Sequence, residues 1–526
     1  MNFGFVIDNR KCIGCHACTV ACKSEHQVPI GVNRTWVKYI EKGEFPNTRR
    51  LFSVMRCNHC EDAPCVTICP VEALHTREDG IVDFDDRRCI SCKACTQACP
   101  YDALYINPDT KTAAKCNYCT HRVDIGLEPA CVVVCPEHAI ISGDMDNPNS
   151  EISHLLSRET VSARKTEKGT KPKLFYIDGD EASLAPEQTT RETEYMWSSQ
   201  SSGVGKYAKF AEERKNTTEA TAQLGIRNTS SLVQIESNSK KVKRVYDAPA
   251  KGLLWGWEVS AYILTKAISA GAFLVPILGG MFVEVPTIIK QIGAIVSIIF
   301  LAITGILLIL DLGRPDRFLY VLLRPQLKSW LSRGAYIITI YGALLTAWLL
   351  ASFLNMPRLQ LFIEPPAILF AALAAVYTAF LFAQAKGRDF WQSPMLGLHM
   401  LLHSLMSGLA VFLVSTFFFV LDPVLLSALI SCTVIVIVLH LVSLLFEMAM
   451  THSTEDAHRV VEYITLGEYS AQFWFGMIFV GNVLPGAILI LTQDFVALAV
   501  SGMLILIGLG FAQIIWVRAP QEINLS

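Results

Sequence analysis

The sequence predicts a multidomain protein, with an α+β N-terminal part dense in cysteine followed by an all-α membrane part of eight helices. Every cysteine but Cys432 falls between Cys12 and Cys135, and the long apolar runs lie almost entirely after Trp255. Charged residues make up only 17% of the 526, and the mean hydropathy is +0.37. That is too apolar for an ordinary soluble chain of this length, so the excess must lie in a membrane part. A net charge of −2 gives no sign of a nucleic-acid partner. The start, MNFGFVIDNRKC, has neither an apolar signal core nor a twin-arginine run, and no export is expected from it.

The cysteines come in four groups of four. The first is Cys12, Cys15, Cys18 and Cys22, and the second is Cys57, Cys60, Cys65 and Cys69 followed by Pro70. The third is Cys89, Cys92, Cys95 and Cys99 followed by Pro100, and the fourth is Cys116, Cys119, Cys131 and Cys135 followed by Pro136. A secreted disulfide framework does not fit such tight clustering without an export signal. Structural zinc would use paired C-x2-C knuckles without the repeated x3-C-P tail. The third group has bacterial ferredoxin spacing throughout, in which the closely spaced cysteines hold one cubane and the last reaches over to its neighbour. Four full sets predict four [4Fe–4S] clusters in two two-cluster ferredoxin units, with these sixteen cysteines as the cofactor-binding and metal-ligating residues. Spacing alone leaves open which groups exchange their last cysteine. His59, His75 and His121 sit in or beside the loops, where surface or supporting roles are expected rather than ligation. Cys432, alone in an apolar helix, is expected to be a small buried hydrophobe.

Residues 1–189 are expected to form the cluster-bearing domain, with TKPKLFYIDGD (170–180) as an ordered strand or docking element. Residues 190–250 are polar and poor in large apolar residues, and are expected to be a linker or extended arm. Residues 251–526 form the expected membrane domain. Runs long enough to span a bilayer lie near 257–281, 289–311, 334–354, 365–385, 395–421, 423–449, 471–491 and 495–516. A re-entrant reading of the fifth and sixth is the alternative at the Asp422-Pro423 turn. With the N-terminal part inside, the inner loops and tail carry Arg314, Arg317, Arg324, Lys328, Arg333, Lys386, Arg388, Arg459 and Arg518, whereas the outer loops carry only Lys290 and Arg358. This bias predicts an inner-membrane protein with its cysteine-rich domain on the cytoplasmic side.

Ionisable and polar groups inside a bilayer are costly and so mark candidate sites. Glu258, Tyr262 and Lys266 fall on one face of the first helix, and Lys266 is expected to pair with a carboxylate. Asp311, Arg333, Tyr336, Gln384, His399, His403, His440 and Glu447 also fall in the inner halves of their helices, with ion pairs or snorkelling as the plain readings for those near helix ends. Glu258, Tyr262, Lys266, His399 and His403 are together the candidate catalytic residues of a shared cavity.

Two parts of the chain resemble known families. CNHCEDAPCVTICPVEAL, DGIVDFDDRRCISCKACTQACPYDA and KCNYCTHRVDIGLEPACVVVCPEHAIISGD resemble the four-cluster iron–sulfur subunits of the DMSO and polysulfide reductase group, and the likeness covers residues 5–180. It implies that the first group pairs with the fourth and the second with the third. One cluster then takes Cys12, Cys15, Cys18 and Cys135, and another takes Cys116, Cys119, Cys131 and Cys22. A third takes Cys57, Cys60, Cys65 and Cys99, and the last takes Cys89, Cys92, Cys95 and Cys69. WGWEVSAYILTKAISAGAF (255–273) and DLGRPDRFLYVLLRPQLKSWLSRGAY (311–336) resemble the NrfD-type membrane subunit of polysulfide reductases. That likeness implies a helical bundle that binds quinone or menaquinone, generally without haem, so that ligation of haem by His399, His403 and His440 is not expected. Together the resemblances imply an electron-transfer and membrane-anchor subunit of a quinone-linked oxidoreductase. Its expected partners are the quinone pool, the lipid bilayer and a catalytic molybdopterin (Mo/W) subunit that holds the substrate site. The alternatives are a nickel–iron hydrogenase partner or a redox-driven proton-translocating module.

Overall fold

The computed structural model describes residues 1–191, 242–248, 251–450, 452 and 454–526. They form two compact units, Met1–Gly252 with Asn524–Ser526, and Leu253–Ile523.

The first unit is built on a four-stranded sheet. Its strand β1 (Phe3–Asp8) runs antiparallel to Ile140–Asp144 on one side and parallel to Leu174–Ile177 on the other. Leu174–Ile177 is the strand expected within 170–180. β1 is buried along nearly its whole length, which explains its almost continuous apolar text FGFVID. Two hairpins, Leu74–Thr76 with Val82–Phe84 and Leu104–Ile106 with Ala113–Lys115, separate the second, third and fourth cysteine groups along the chain. Phe5, Ile7, Val37, Val54, Tyr118, Leu174 and Tyr176 form the core between the cysteine loops. Tyr118 is fixed within it by donating its hydroxyl to Gly4 O at 2.6 Å.

Most of the expected linker, residues 192–241, lies outside the described residues. Its ends do not behave as linker. Thr190–Arg191 and Val242–Tyr246 are strands, the second pairing antiparallel with Thr35–Glu44. Val245 and Arg244 are buried there, and Lys38 and Arg244 both bind Asp247. The polar composition hid this strand because its buried Arg244 shares Asp247 with Lys38 of the neighbouring strand.

The second unit has eight helices long and apolar enough to cross a membrane. They are Trp257–Gly279, Thr287–Leu310, Trp330–Phe353, Pro357–Gln384, Leu396–Ser415, Pro423–Ala449, Gln472–Leu491 and Phe495–Glu522, numbered here first to eighth. The fifth and sixth are separate helices, and Asp422 caps the sixth by accepting from Val424 N at 2.9 Å. The fourth begins eight residues earlier than expected because Pro357 supplies its first turn, with Pro365 and Pro366 carried inside. Gln472–Val483 in the seventh helix is wound as a wider π-helix. Small residues set the closest crossings. A Cβ on Gly271 would stand 1.8 Å from Ser404 O, and one on Gly508 would stand 2.1 Å from Gly481 Cα. The first and fifth helices, and the seventh and eighth, therefore meet backbone to backbone. Cys432 is exposed on the sixth helix, contrary to expectation. A lipid-facing position is as apolar as a core one, so its neighbours in sequence do not distinguish the two.

Candidate functional site

The cysteines gather around cavities four at a time. Cys12, Cys15, Cys18 and Cys135 line one, Cys69, Cys89, Cys92 and Cys95 a second, and Cys57, Cys60, Cys65 and Cys99 a third. The remaining four also lie together. Burial, then the sulfurs of Cys116, Cys131 and Cys119, push the Cys22 thiol up. In each set, three cysteines come from one group and the fourth from another.

Local backbone makes these loops possible. Left-handed residues interrupt every one of them: His16 (φ 60°), His59 (φ 44°), Lys93 (φ 61°) and Cys119 (φ 53°). Such turns aim successive amides inward, as anion-binding concavities require. Ala139 N–H donates to Cys135 Sγ at 3.2 Å, and Ser91 and Ala113 N–H both donate to Cys89 Sγ at 3.4 Å. Buried thiols packed this closely resist ionising. Burial and neighbouring sulfurs push Cys18 up to about 11 and Cys116 up to about 12, with Arg56 opposing the rise in both. The thiolate form therefore needs a cationic centre among the sulfurs, and an all-sulfur set of four suits iron–sulfur clusters.

Two supporting residues escaped the sequence reading. Arg56 is wholly buried at the end of strand Asn47–Arg56, and its Nη1 donates to Cys131 Sγ at 3.0 Å. Burial opposes its charge, but the sulfurs of Cys131, Cys18 and Cys116 more than offset that and raise its pKa. It stacks over Phe5 at 4.8 Å, while its Nε and Nη2 have no hydrogen-bond partner. His26 brings Nε2 to 3.1 Å from Cys119 Sγ, and burial pushes its pKa down to about 4. Neither residue belongs to a motif; a guanidinium or an imidazole beside a ligand cysteine is visible only once distant segments are brought together. Of the histidines singled out by sequence, His59 is buried and its Nδ1 accepts from Val82 N at 3.2 Å. His75 is exposed, and His121 pairs with Glu25 at 2.7 Å.

Arg56→Gln is expected to make the reduction potentials of the adjoining clusters more negative. Reduction adds negative charge, and the variant removes a buried positive charge that stabilises it. One charge at about 5 Å in a protein interior corresponds to a shift on the order of 100 mV. A redox titration followed by electron paramagnetic resonance reads this, and an unchanged potential would show Arg56 to be purely structural.

In the membrane unit the candidate residues fall into two groups. Tyr262 and Lys266 are buried on the first helix and face the fourth, where Lys266 donates to Thr378 Oγ1 and to Ala375 O (3.3 Å) and stands 4.3 Å from the centre of the Tyr377 ring. Among the described residues Lys266 has no carboxylate partner, contrary to expectation; hydroxyl, carbonyl and ring face replace it. Glu258 lies half-buried in the first turn of the same helix.

His399 and His403, on the fifth helix, turn instead toward the sixth and eighth. His403 Nε2 is 3.0 Å from His440 Nε2, and its Nδ1 is 2.8 Å from Gln513 Nε2. Glu447 does not snorkel. It is buried and accepts from Ser393 Oγ at 2.8 Å, with His399 Nε2 3.9 Å away. Among the described residues no hydrogen bond of Lys266, His399 or His403 passes from one group to the other. Helix-end groups serve local structure: Gln384 accepts from Trp330 N at 2.9 Å, and Tyr336 donates to Leu322 O at 2.7 Å.

Residues 248–521, more than half of the chain, match the family described as polysulphide reductase, NrfD. This protein belongs to the NrfD family. Ahead of its NrfD domain, residues 11–74 and 48–145 match 4Fe-4S dicluster domains. This part is 44% identical over 188 residues to a tetrathionate reductase subunit of Salmonella typhimurium, covering 35% of this chain and 75% of that protein. It is 39% identical over 209 residues to a putative dimethyl sulfoxide reductase iron-sulfur subunit of Halobacterium salinarum, covering 34% and 80%. To a polysulfide reductase component of Wolinella succinogenes it is 43% identical over 180 residues, covering 33% and 93%. This NrfD-family member is thus an integral membrane protein that joins an iron–sulfur electron-transfer part and a membrane part in one polypeptide.

Proposed function

We propose that this chain carries electrons between a quinone or menaquinone in the membrane and a catalytic partner subunit of the molybdopterin (Mo/W) type, which holds the substrate site. The observation that carries this reading is the gathering of sixteen cysteines into four sets of four in a chain that continues into an NrfD domain. The partner class is suggested by the relatives, whose names are those of tetrathionate, dimethyl sulfoxide and polysulfide reductase components. The ligand sets are those implied by the crossed pairing, each with its fourth cysteine from another group. When bound, four cubanes supply one-electron redox centres close to one another. The protein's own part is to fix the sulfurs, direct amides at them and place Arg56 and His26 beside them. Tyr262, Lys266 and Glu258 are the proposed quinone-facing residues, because a buried cation and hydroxyl can donate to a ring oxygen.

The test is purification of the intact complex in mild detergent. About sixteen iron atoms per chain are expected, with molybdenum or tungsten on a co-purifying subunit and reoxidation of the dithionite-reduced clusters by a menaquinone analogue. Iron near twelve, or clusters that the analogue fails to oxidise, would overturn the reading.

The excess of Lys and Arg in the loops on its side supports a cytoplasmic location for the cluster domain. Reporter fusions at Pro357 and Asp422 are expected to report an external location and one at Gly387 an internal one. The opposite pattern would reverse the orientation and move the partner subunit with it.

A further inference from the structure

The histidine group of the fifth and sixth helices has the donor arrangement of a metal site. One ring nitrogen from each of His399, His403 and His440 lies within 4.8 Å of the others, and all three side chains are buried. The outer hydrogen bonds of His440 and His399 decide which of their nitrogens carries a lone pair. Asn482 Nδ2 donates to Met477 O at 2.8 Å, so its Oδ1 is the atom facing His440, and His440 Nδ1–H donates to it at 2.9 Å. That leaves a lone pair on His440 Nε2. Ser443 donates its only hydroxyl proton to His440 O at 2.8 Å, so its oxygen accepts from His399 Nδ1 at 3.3 Å. That leaves a lone pair on His399 Nε2, and this buried atom has no hydrogen-bond partner. Beside it, at 3.9 Å, is the buried carboxylate of Glu447, which is itself an acceptor. Two acceptors facing one another in an apolar interior are costly unless a proton or a cation lies between them, and a metal ion would serve both.

We propose that His399, His403 and His440, with Glu447 beside them, hold a divalent first-row transition-metal ion within the membrane unit. Three imidazoles and a carboxylate are a set that zinc and ferrous iron accept. The 3.0 Å between His403 and His440 Nε2 suits two adjacent ligands of one ion with bonds of about 2.0–2.1 Å. It is too short for the opposite faces of a haem, whose two axial nitrogens lie about 4 Å apart, twice such a bond. The outer contacts to Asn482 and Ser443 are the kind that orient metal-bound imidazoles. His403 joins the set when Gln513 presents its carbonyl oxygen to Nδ1, a half-turn of an amide whose two ends look alike. Asn482 comes from the π-wound stretch of the seventh helix, where π turns often mark functional sites. The site does not depend on where the quinone binds, since Tyr262 and Lys266 belong to the other group.

The test uses the full chain, purified without a histidine tag and dialysed against a mild chelator. Elemental analysis and zinc-edge X-ray absorption are expected to show about one zinc per chain, ringed by nitrogen and oxygen at about 2.0–2.1 Å without sulfur. If iron is the occupant, Mössbauer spectra show one high-spin ferrous site distinct from the clusters. His399→Asn and His440→Asn are each expected to lower this metal at least tenfold while cluster iron is unchanged. The wild-type spectrum is decisive by itself should either variant fail to assemble. Zinc ringed by sulfur, equal metal in the variants, or a wild-type protein that neither contains such an ion nor takes up one equivalent of added Zn2+ would overturn the proposal. In the last case the histidines form only a hydrogen-bonded chain.

Discussion

Cys99→Ala is expected to remove the cluster assigned to Cys57, Cys60 and Cys65, and to spare the cluster of its own group. The reason lies in the cavities. Cys99 lines the one formed by Cys57, Cys60 and Cys65, while Cys89, Cys92 and Cys95 line theirs with Cys69. Cys99 follows the short helix Ala94–Ala98, and Ala103 N–H donates to its sulfur at 3.5 Å, fixing it toward the neighbouring set. Losing one of four thiolates opens a coordination position inside a buried site whose remaining sulfurs repel one another, and binding free energy of this kind is also folding free energy. The expected readout is about four fewer iron atoms per chain and loss of one reduced-cluster signal in electron paramagnetic resonance. Cys69→Ala should remove a different signal. Loss of the Cys89-group signal on replacing Cys99 would show that the groups do not cross.

How much was legible in the sequence differs between the two units, for physical reasons. Ligand identity and membrane crossing are both written in local text: thiolates at fixed spacing must fold around one corner of a cubane, and about twenty apolar residues must find lipid. The strand 170–180 was legible because its apolar run is short and bounded by turn residues. Val242–Tyr246 was not, since Arg244 and Lys38 are buried only by virtue of a shared partner, Asp247, distant in sequence from Lys38. Arg56 was hidden for the same reason. In the bundle, depth along each helix follows from sequence, but rotation about the helix axis does not. Residues at similar depth were therefore merged into one cavity, although Lys266 faces the fourth helix and His403 the sixth and eighth.

Lys266→Met is expected to slow quinone-linked reoxidation of the clusters on the order of tenfold to a hundredfold. Lys266 is buried and lacks a carboxylate partner among the described residues; its contacts are Thr378 Oγ1, Ala375 O and the Tyr377 ring. Retaining an ammonium in such a place costs stability, and an apolar side chain of similar length is often neutral or stabilising there. A purely structural role would therefore be a poor use of the position. A hydrogen bond from a charged donor to a quinone oxygen contributes about 1.5–3 kcal/mol, and each step of about 1.4 kcal/mol is tenfold in rate, which sets the expected range. Tyr262→Phe removes a neutral donor on the same helix face and should slow the reaction less. Both variants should keep their full iron content, and their clusters should still be reduced by dithionite, since no cysteine is touched. The measurement is stopped-flow oxidation of the reduced protein by a menaquinone analogue, with thermal unfolding of the bundle followed alongside. Slower oxidation with an unchanged or higher melting temperature assigns Lys266 to the quinone. A lower melting temperature at the wild-type rate would make it a packing element and move the quinone site elsewhere in the bundle.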